Sequence, residues 1–252
     1  MPRAMDIPGS SPESPRGKAA AGEAYGVLRA LILESALEPG ERLNIDAIAR
    51  RLEVSQTPVR EALQRLEGDN LVVYTPGKGY STTPLLGPEE LRSLFEFRLL
   101  VEPWAARSAA VDRLANPGSA LRAEIDSLEQ SIDELNASGG GDIRQLLVAH
   151  DARFHDIVLE AVGNSVVRHA FDQTHCHLHT FRLYRADVSG GRTVEEHGEI
   201  ASAIAACDAA GAEAAMSRHI FNSFDRFAQA YAGEPGISPL SRSSRPRTRL
   251  AP

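Results

Sequence analysis

Cysteine is scarce: Cys176 and Cys207 are the two in 252 residues. At that separation they offer neither a disulfide framework nor a CxxC pair, so a stapled secreted scaffold is excluded and a reducing cytoplasm is the expected setting. Long apolar runs are also missing. No stretch of about 18 apolar residues occurs. The opening MPRAMDIPGSSPESPRG lacks the apolar core of a signal peptide, so neither membrane spanning nor export is expected. A basic excess is absent as well. Residues 85–233 hold 13 Arg against 22 Asp and Glu, a net of −9, and should not bind nucleic acid by themselves. Residues 18–84 hold 8 Lys and Arg against 9 acids, so any DNA-binding reading of that segment must rest on where charges stand.

What is present is an ordinary core composition, 42% hydrophobic and 24% charged. The ends depart from it. Residues 1–17 are rich in Pro, Ser and Gly, and SPLSRSSRPRTRLAP carries Arg242, Arg245, Arg247 and Arg249 with no acid. Both tails, 1–17 and 234–252, are expected to be disordered, because neither has the apolar residues to offset the entropy of ordering. Two folded domains are expected between them, 18–84 and 85–233.

In the first domain, Leu28, Leu31 and Ile32 predict a helix over roughly 21–35, ended by Pro39 and Gly40. Ile45, Ile48, Ala49 and Leu52 share one face of a short second helix. A third opens at Ser55 or Thr57, either able to cap it, with Pro58 in the first turn, where a missing N–H costs nothing. On it Val59, Leu63 and Leu66 form a buried face, while Thr57, Arg60 and Gln64 share another sector with Gln56 at its edge. LVVY and GYSTT then read as two strands joined by the turn Pro76–Gly79. Three helices and a hairpin make a winged helix-turn-helix. A helix exposing Gln, Thr, Arg and Gln at its N-terminal end suits a major groove, where Arg pairs with guanine and Gln with adenine. Lys78 at the wing tip would meet a phosphate.

The second domain reads as an all-helical bundle. A long helix begins at Pro88, with a disturbance expected at Pro103, and further helices fit 118–136, 142–162, 164–187, 193–209 and 212–232. Asp151 and His155, four apart, share a helix face and can grip one divalent ion; His197 and His219 would complete a set of one oxygen and three nitrogen donors suited to zinc or nickel. Spacing alone does not make the four converge. THCHLHTFRLYR offers a rival set, Cys176 with His175, His177 and His179, and on a single helix His175 and His179 would face the same way and line a pocket.

The run VSQTPVREALQRLEGDNLV followed by PGKGYST resembles the signature of GntR-type bacterial transcription regulators, and residues 85–233 resemble the all-helical FCD effector domain of the FadR subfamily. Family members commonly carry Arg where Gln56 stands, a departure that bears on the operator sequence. In the metal-binding branch the pattern is D-x-x-x-H on one helix plus a His on each of the last two, and Asp151, His155, His197 and His219 match it position by position. The resemblance also implies a small carboxylate effector that meets the metal, anchored by an Arg from the first helix of the domain; Arg98 is the best match, with Glu102 as its alternative partner.

The reading is thus a cytoplasmic homodimeric regulator, a repressor released from a palindromic double-stranded operator by a carboxylate metabolite. The alternative is a metal-dependent hydrolase, in which Glu195, Glu196 or Glu199 beside His197 would serve as the base.

Overall fold

The computed structural model describes residues 15–34, 36–139, 143–182, 190–231 and 240. The chain separates into two compact units, Met1–Pro84 and Leu85–Pro252.

The first unit holds α1 (Pro15–Leu33), β1 (Arg42–Leu43), α2 (Ile45–Arg51), α3 (Gln56–Gly68), β2 (Val72–Thr75) and β3 (Gly79–Thr82). The first helix begins at Pro15, earlier than expected, so residues 15–17 belong to it and not to a tail. Alanine-rich sequence with Pro at the first helical position explains the extension. The rest of the N-terminal tail lies outside the described residues. Ala24, Leu28 and Ile32 of α1 pack on α3, whose Val59, Leu63 and Leu66 are fully buried. Burying three such side chains contributes about 1.5–3 kcal/mol each.

The two helices of the reading motif start differently. Asn44 caps α2, its side chain accepting from Ala47 N at 3.0 Å. Ser55 stands at the N-cap of α3 but makes no side-chain cap hydrogen bond. The wing is a three-stranded antiparallel sheet, ordered β1-β3-β2, with Tyr74 opposite Tyr80. Its tip is a type II turn: Pro76 takes the second position, Gly77 the third at φ 77°, and Lys78 N donates to Thr75 O at 3.0 Å. The two-residue β1 was not anticipated, being too short to show an alternating pattern.

The second unit contains α4 (Pro88–Val111), α5 (Gly118–Ala137), α6 (Arg144–Ala161), α7 (Ser165–Asp172), α8 (Cys176–Arg182), α9 (Gly191–Ala205) and α10 (Ala209–Ala228), ending in a 3-10 turn, Gln229–Tyr231. No strand occurs among its described residues. Helix α10 packs along α4 and α9, α5 along α6 and α9, and α4 also meets α6. Phe95, Phe154, Ile200, Met216, Ile220 and Phe224 fill the middle, with Phe95 and Phe224 edge to face at 5.5 Å. At one end, Asn116 Nδ2 donates to Ile204 O at 2.7 Å, and a Cβ on Gly118 would lie 2.7 Å from the Ala205 Cα, so this approach of α5 to α9 admits glycine alone. Leu240 is buried against this core, so residue 240 is not part of a solvated tail; the other tail residues from 232 onward lie outside the described ones.

Two expectations are corrected. Helix α4 runs unbroken through Pro103, which is itself buried; the packing of α10 along α4 holds the helix across the one missing N–H. The single helix expected over 164–187 is two, α7 and α8, parted at Gln173–His175. His175 there takes φ 45°, the left-handed region, which turns the chain and resets the helical phase of everything after it. Residues 183–187 of that expected helix lie outside the described ones.

Candidate functional site

On α3 the residues assigned to groove reading, Gln56, Thr57, Arg60 and Gln64, are all exposed, as is Lys78 at the wing tip. They are not independent. Gln56 Nε2 donates to Asp46 Oδ1 on α2, and Arg60 donates to Gln56 Oε1 at 3.3 Å. Asp46 thus belongs to the same polar surface, although sequence reasoning passed over it: nothing in the spacing of residues 46 and 56 shows that two helices meet there.

In the second unit the fold brings Asp151 and His155 from α6, His197 from α9 and His219 from α10 to one place. All four are buried, and one ligating atom from each lies within 4.8 Å of the others. His155 Nε2 and His197 Nε2 stand 3.7 and 3.5 Å from Asp151 Oδ1.

The outward nitrogen of each ring decides what the inward nitrogen offers. His219 Nδ1 meets Glu196 Oε2 at 2.8 Å; a carboxylate only accepts, so Nδ1 carries the proton and Nε2 keeps its lone pair. Glu196 is held in turn by Arg226 and Asn222. His155 Nδ1 meets Glu102 Oε2 in the same sense. His197 reaches a carboxylate through a relay: His150 Nδ1 donates to Glu124 Oε1 at 3.1 Å, so His150 Nε2 accepts from His197 Nδ1 at 2.9 Å. Three imidazoles therefore turn a lone pair inward, each fixed from behind by a carboxylate, an arrangement that orients rings for metal binding. The Nε2 atoms of His197 and His219 are buried with no hydrogen-bond partner, a costly state that an ion would relieve. The donor set therefore fits a divalent ion.

The local electrostatics agree with that chemistry. Burial pushes His155 down to about 4 and His197 well below the ordinary imidazole value, so both are neutral at pH 7. Burial works against a charge on Asp151, yet His177, then His155 and His197, hold it well below the usual carboxylate range. Glu196, against its own burial, is brought down to about 2 by His219 and Arg226.

Arg98 lies beside the cluster, its Nη2 3.4 Å from His155 Nε2, and its Nε donates to Glu102 Oε1 at 2.5 Å. Arg98 and Glu102 are both about 1% exposed, so the small value of a surface i,i+4 pair does not apply to them. Each holds the other charged against the cost of burial.

The stretch from His175 to His179 is not part of one continuous helix. His175 and His179 do not join the cluster: His175 is half-buried in the break, and His179 is buried elsewhere, burial pushing it down to about 4. His177 turns inward instead, its Nδ1 2.5 Å from Asp151 Oδ2. The rival metal set does not assemble among the described residues. Glu102, Glu124, His150, Glu196 and His177 were not foreseen in these roles, because each acts across 23 to 53 residues of chain and has no local spacing signal. The one hint was that Glu196 adjoins His197, which suggested a base where the structure shows a support for His219.

Comparison with known proteins bears on both units. Residues 20–81 match the bacterial regulatory proteins of the gntR family, and residues 93–222 match the FCD domain. The chain is a GntR-family regulator with an FCD domain. LutR, an HTH-type transcriptional regulator of Bacillus subtilis (strain 168), is 28% identical over 76% of this chain and 94% of its own length. The Uxu operon transcriptional regulator of Escherichia coli (strain K12) is 29% identical over 79% of this chain and 83% of its own. Among solved structures, E. coli McbR/YncC superposes with a TM-score of 0.63 at 20% identity, covering 84% of this chain and 98% of that one, which shows a shared fold. This GntR regulator therefore acts on DNA in transcription and is not an enzyme; the hydrolase alternative finds no support among its relatives. No helix among the described residues is long and apolar enough to cross a membrane.

Proposed function

We propose that this GntR regulator is a cytoplasmic, homodimeric repressor whose FCD unit holds one divalent ion, zinc or nickel, on Asp151, His155, His197 and His219. A small carboxylate metabolite bound there releases it from a palindromic operator. The observation that carries the reading is the convergence of four buried donors, two of them, His197 and His219, with orphaned Nε2 atoms, in a protein that also has a DNA-reading unit. An ion bound there would supply an open coordination position for a carboxylate oxygen. Arg98, in contact with His155 at the edge of the cluster, would take the effector's charge at the expense of its contact with Glu102. His175 and His179 remain candidates for the outer wall of the effector site.

On DNA, Arg60 and Gln64 would read base edges, Gln56 and Thr57 would flank them, and Lys78 would contact phosphate. A two-fold dimer doubles these contacts over two half-sites. Support for self-association comes from α4, where Leu100, Trp104 and Val111 stand on one side, 64%, 42% and 65% exposed. An effector lowers DNA affinity only if it binds the two arrangements with different free energies, and the coupling must be reciprocal.

Two measurements test this. Elemental analysis of purified protein should give about one ion per chain, sharply reduced in His197→Ala and His219→Ala. Calorimetry of metabolite carboxylates, with and without operator, should show that operator weakens effector binding by the same factor that effector weakens operator binding. Unchanged metal in a protein carrying both substitutions sinks the reading of a metal on these four residues; equal effector affinities in the two titrations sink the inducer reading.

A further inference from the structure

Asp151 has two carboxylate oxygens, and the structure treats them differently. Oδ1 faces the inward nitrogens of His155 and His197, at 3.7 and 3.5 Å. Oδ2 accepts from His177 Nδ1 at 2.5 Å. His177 comes from α8, an element that contributes none of the four converging donors, and it is 8% exposed. Its ring lies 5.1 Å from that of His155 and 5.8 Å from Phe171, so it is packed as well as bonded.

We propose that His177 is a positioning residue that makes Asp151 a one-oxygen ligand. A carboxylate is free to bind an ion through one oxygen or to chelate it through both. A short charge-assisted hydrogen bond on Oδ2 opposes chelation, because turning that oxygen toward the ion means breaking the bond inside a buried site. The four donors then supply one oxygen and three nitrogens, and a coordination position stays open for an exogenous carboxylate. If Asp151 chelated, its second oxygen would occupy that position. The seven-residue α8, set at its own angle by the break at His175, thereby determines whether the ion can accept a fifth ligand. This rests on the metal reading of the preceding subsection.

The test separates the hydrogen bond from the packing. His177→Asn keeps a donor at the position of Nδ1 and loses the ring; His177→Phe keeps a ring of similar shape and loses the donor. Full-length wild type and both variants are loaded with cobalt(II), whose visible absorption weakens as coordination number rises, and are titrated with acetate as a simple carboxylate probe. Circular dichroism confirms helical content. The expected result is that His177→Phe binds metal about 10–100-fold more weakly, gives a paler cobalt spectrum and loses the acetate-induced spectral change, while His177→Asn stays close to wild type in all three. A His177→Phe protein with wild-type affinity, spectrum and acetate response overturns the proposal, as does the reverse order with Asn impaired and Phe intact, which marks a packing role. A wild-type protein that takes up neither cobalt nor zinc overturns the metal reading, and this inference with it.

Discussion

Gln56, Thr57, Arg60 and Gln64 stand in solvent on one helix, four polar side chains within nine residues of chain. Asp151, His155, His197 and His219 are buried and come from three helices spanning 69 residues. The first group is tied down lightly, by Asp46 and by contacts within α3. Behind every ring of the second group stands a carboxylate, directly or through His150. The difference teaches how each can work. An exposed surface can exchange water for DNA, so its residues need only the light mutual support that Asp46, Gln56 and Arg60 give one another. A buried site must be satisfied from behind before it can present lone pairs in front, so removing a support is as damaging as removing a donor.

The sharpest break should come from one such support. Glu102 serves both Arg98 and His155, and Glu102→Ala leaves a buried guanidinium without its carboxylate. Chemical denaturation should show a loss of about 3–5 kcal/mol. A loss under 1 kcal/mol would mean that Arg98 reaches solvent and that the support is dispensable. Acid should act on the same region next. In metal-free protein, His155 and His179 are pushed down to about 4, with His197 and His150 also lowered, all by burial. Between pH 6.5 and 4 the unfolded rings bind protons that the folded ones refuse, so stability falls as pH falls, by about 1.4 kcal/mol per pH unit for each ring at full slope.

His177 has the opposite sign. Cys176 and Asp151 raise it to about 10 despite burial, so its contribution is complete below pH 6.5 and fades as pH rises toward 10. Denaturation midpoints of the metal-free protein should therefore peak near neutral pH, and a flat profile from 4 to 7 would contradict the neutral, buried rings.

Effects on the reading unit should be smaller and should leave its fold alone. Arg60→Ala is expected to cost about 1–3 kcal/mol of specific operator affinity at fixed salt, with unchanged helical content. Lys78→Ala should instead weaken binding to all sequences and reduce the salt slope by about one counterion. If both variants lose affinity alike on specific and random DNA, Arg60 is a phosphate contact and the division of labour is wrong. Smallest of all is the contrast between two helix caps. Asn44→Ala should destabilise the first unit by roughly 0.5–2 kcal/mol, whereas Ser55→Ala, which removes no cap hydrogen bond, should fall within a few tenths.

The same contrast explains what could be read from sequence. The α3 stripe of Val59, Leu63 and Leu66, its exposed sector and the Pro-Gly wing turn are local patterns, and local patterns survive in one dimension. Asp151 and His155 were visible as a pair for the same reason. That His197 and His219 join them came from a family likeness, since helix phase says nothing about which faces of α6, α9 and α10 converge. The inward turn of His177 was not legible because the reading assumed one continuous helix. A break at His175, φ 45°, precedes the turn that brings His177 to Asp151, and no pattern in THCHLHTF marks that residue.

The spread of the cluster along the chain also imposes an order in time. The first unit is complete at residue 84, but His219 emerges from the ribosome 135 residues later. At roughly 5–20 residues per second, each nascent copy spends on the order of 7–27 s with a folded, exposed reading helix and no possibility of closing the four-residue cluster. During that interval the reading unit must be stable on its own apolar core, to which α3 contributes Val59, Leu63 and Leu66 against α1 and α2.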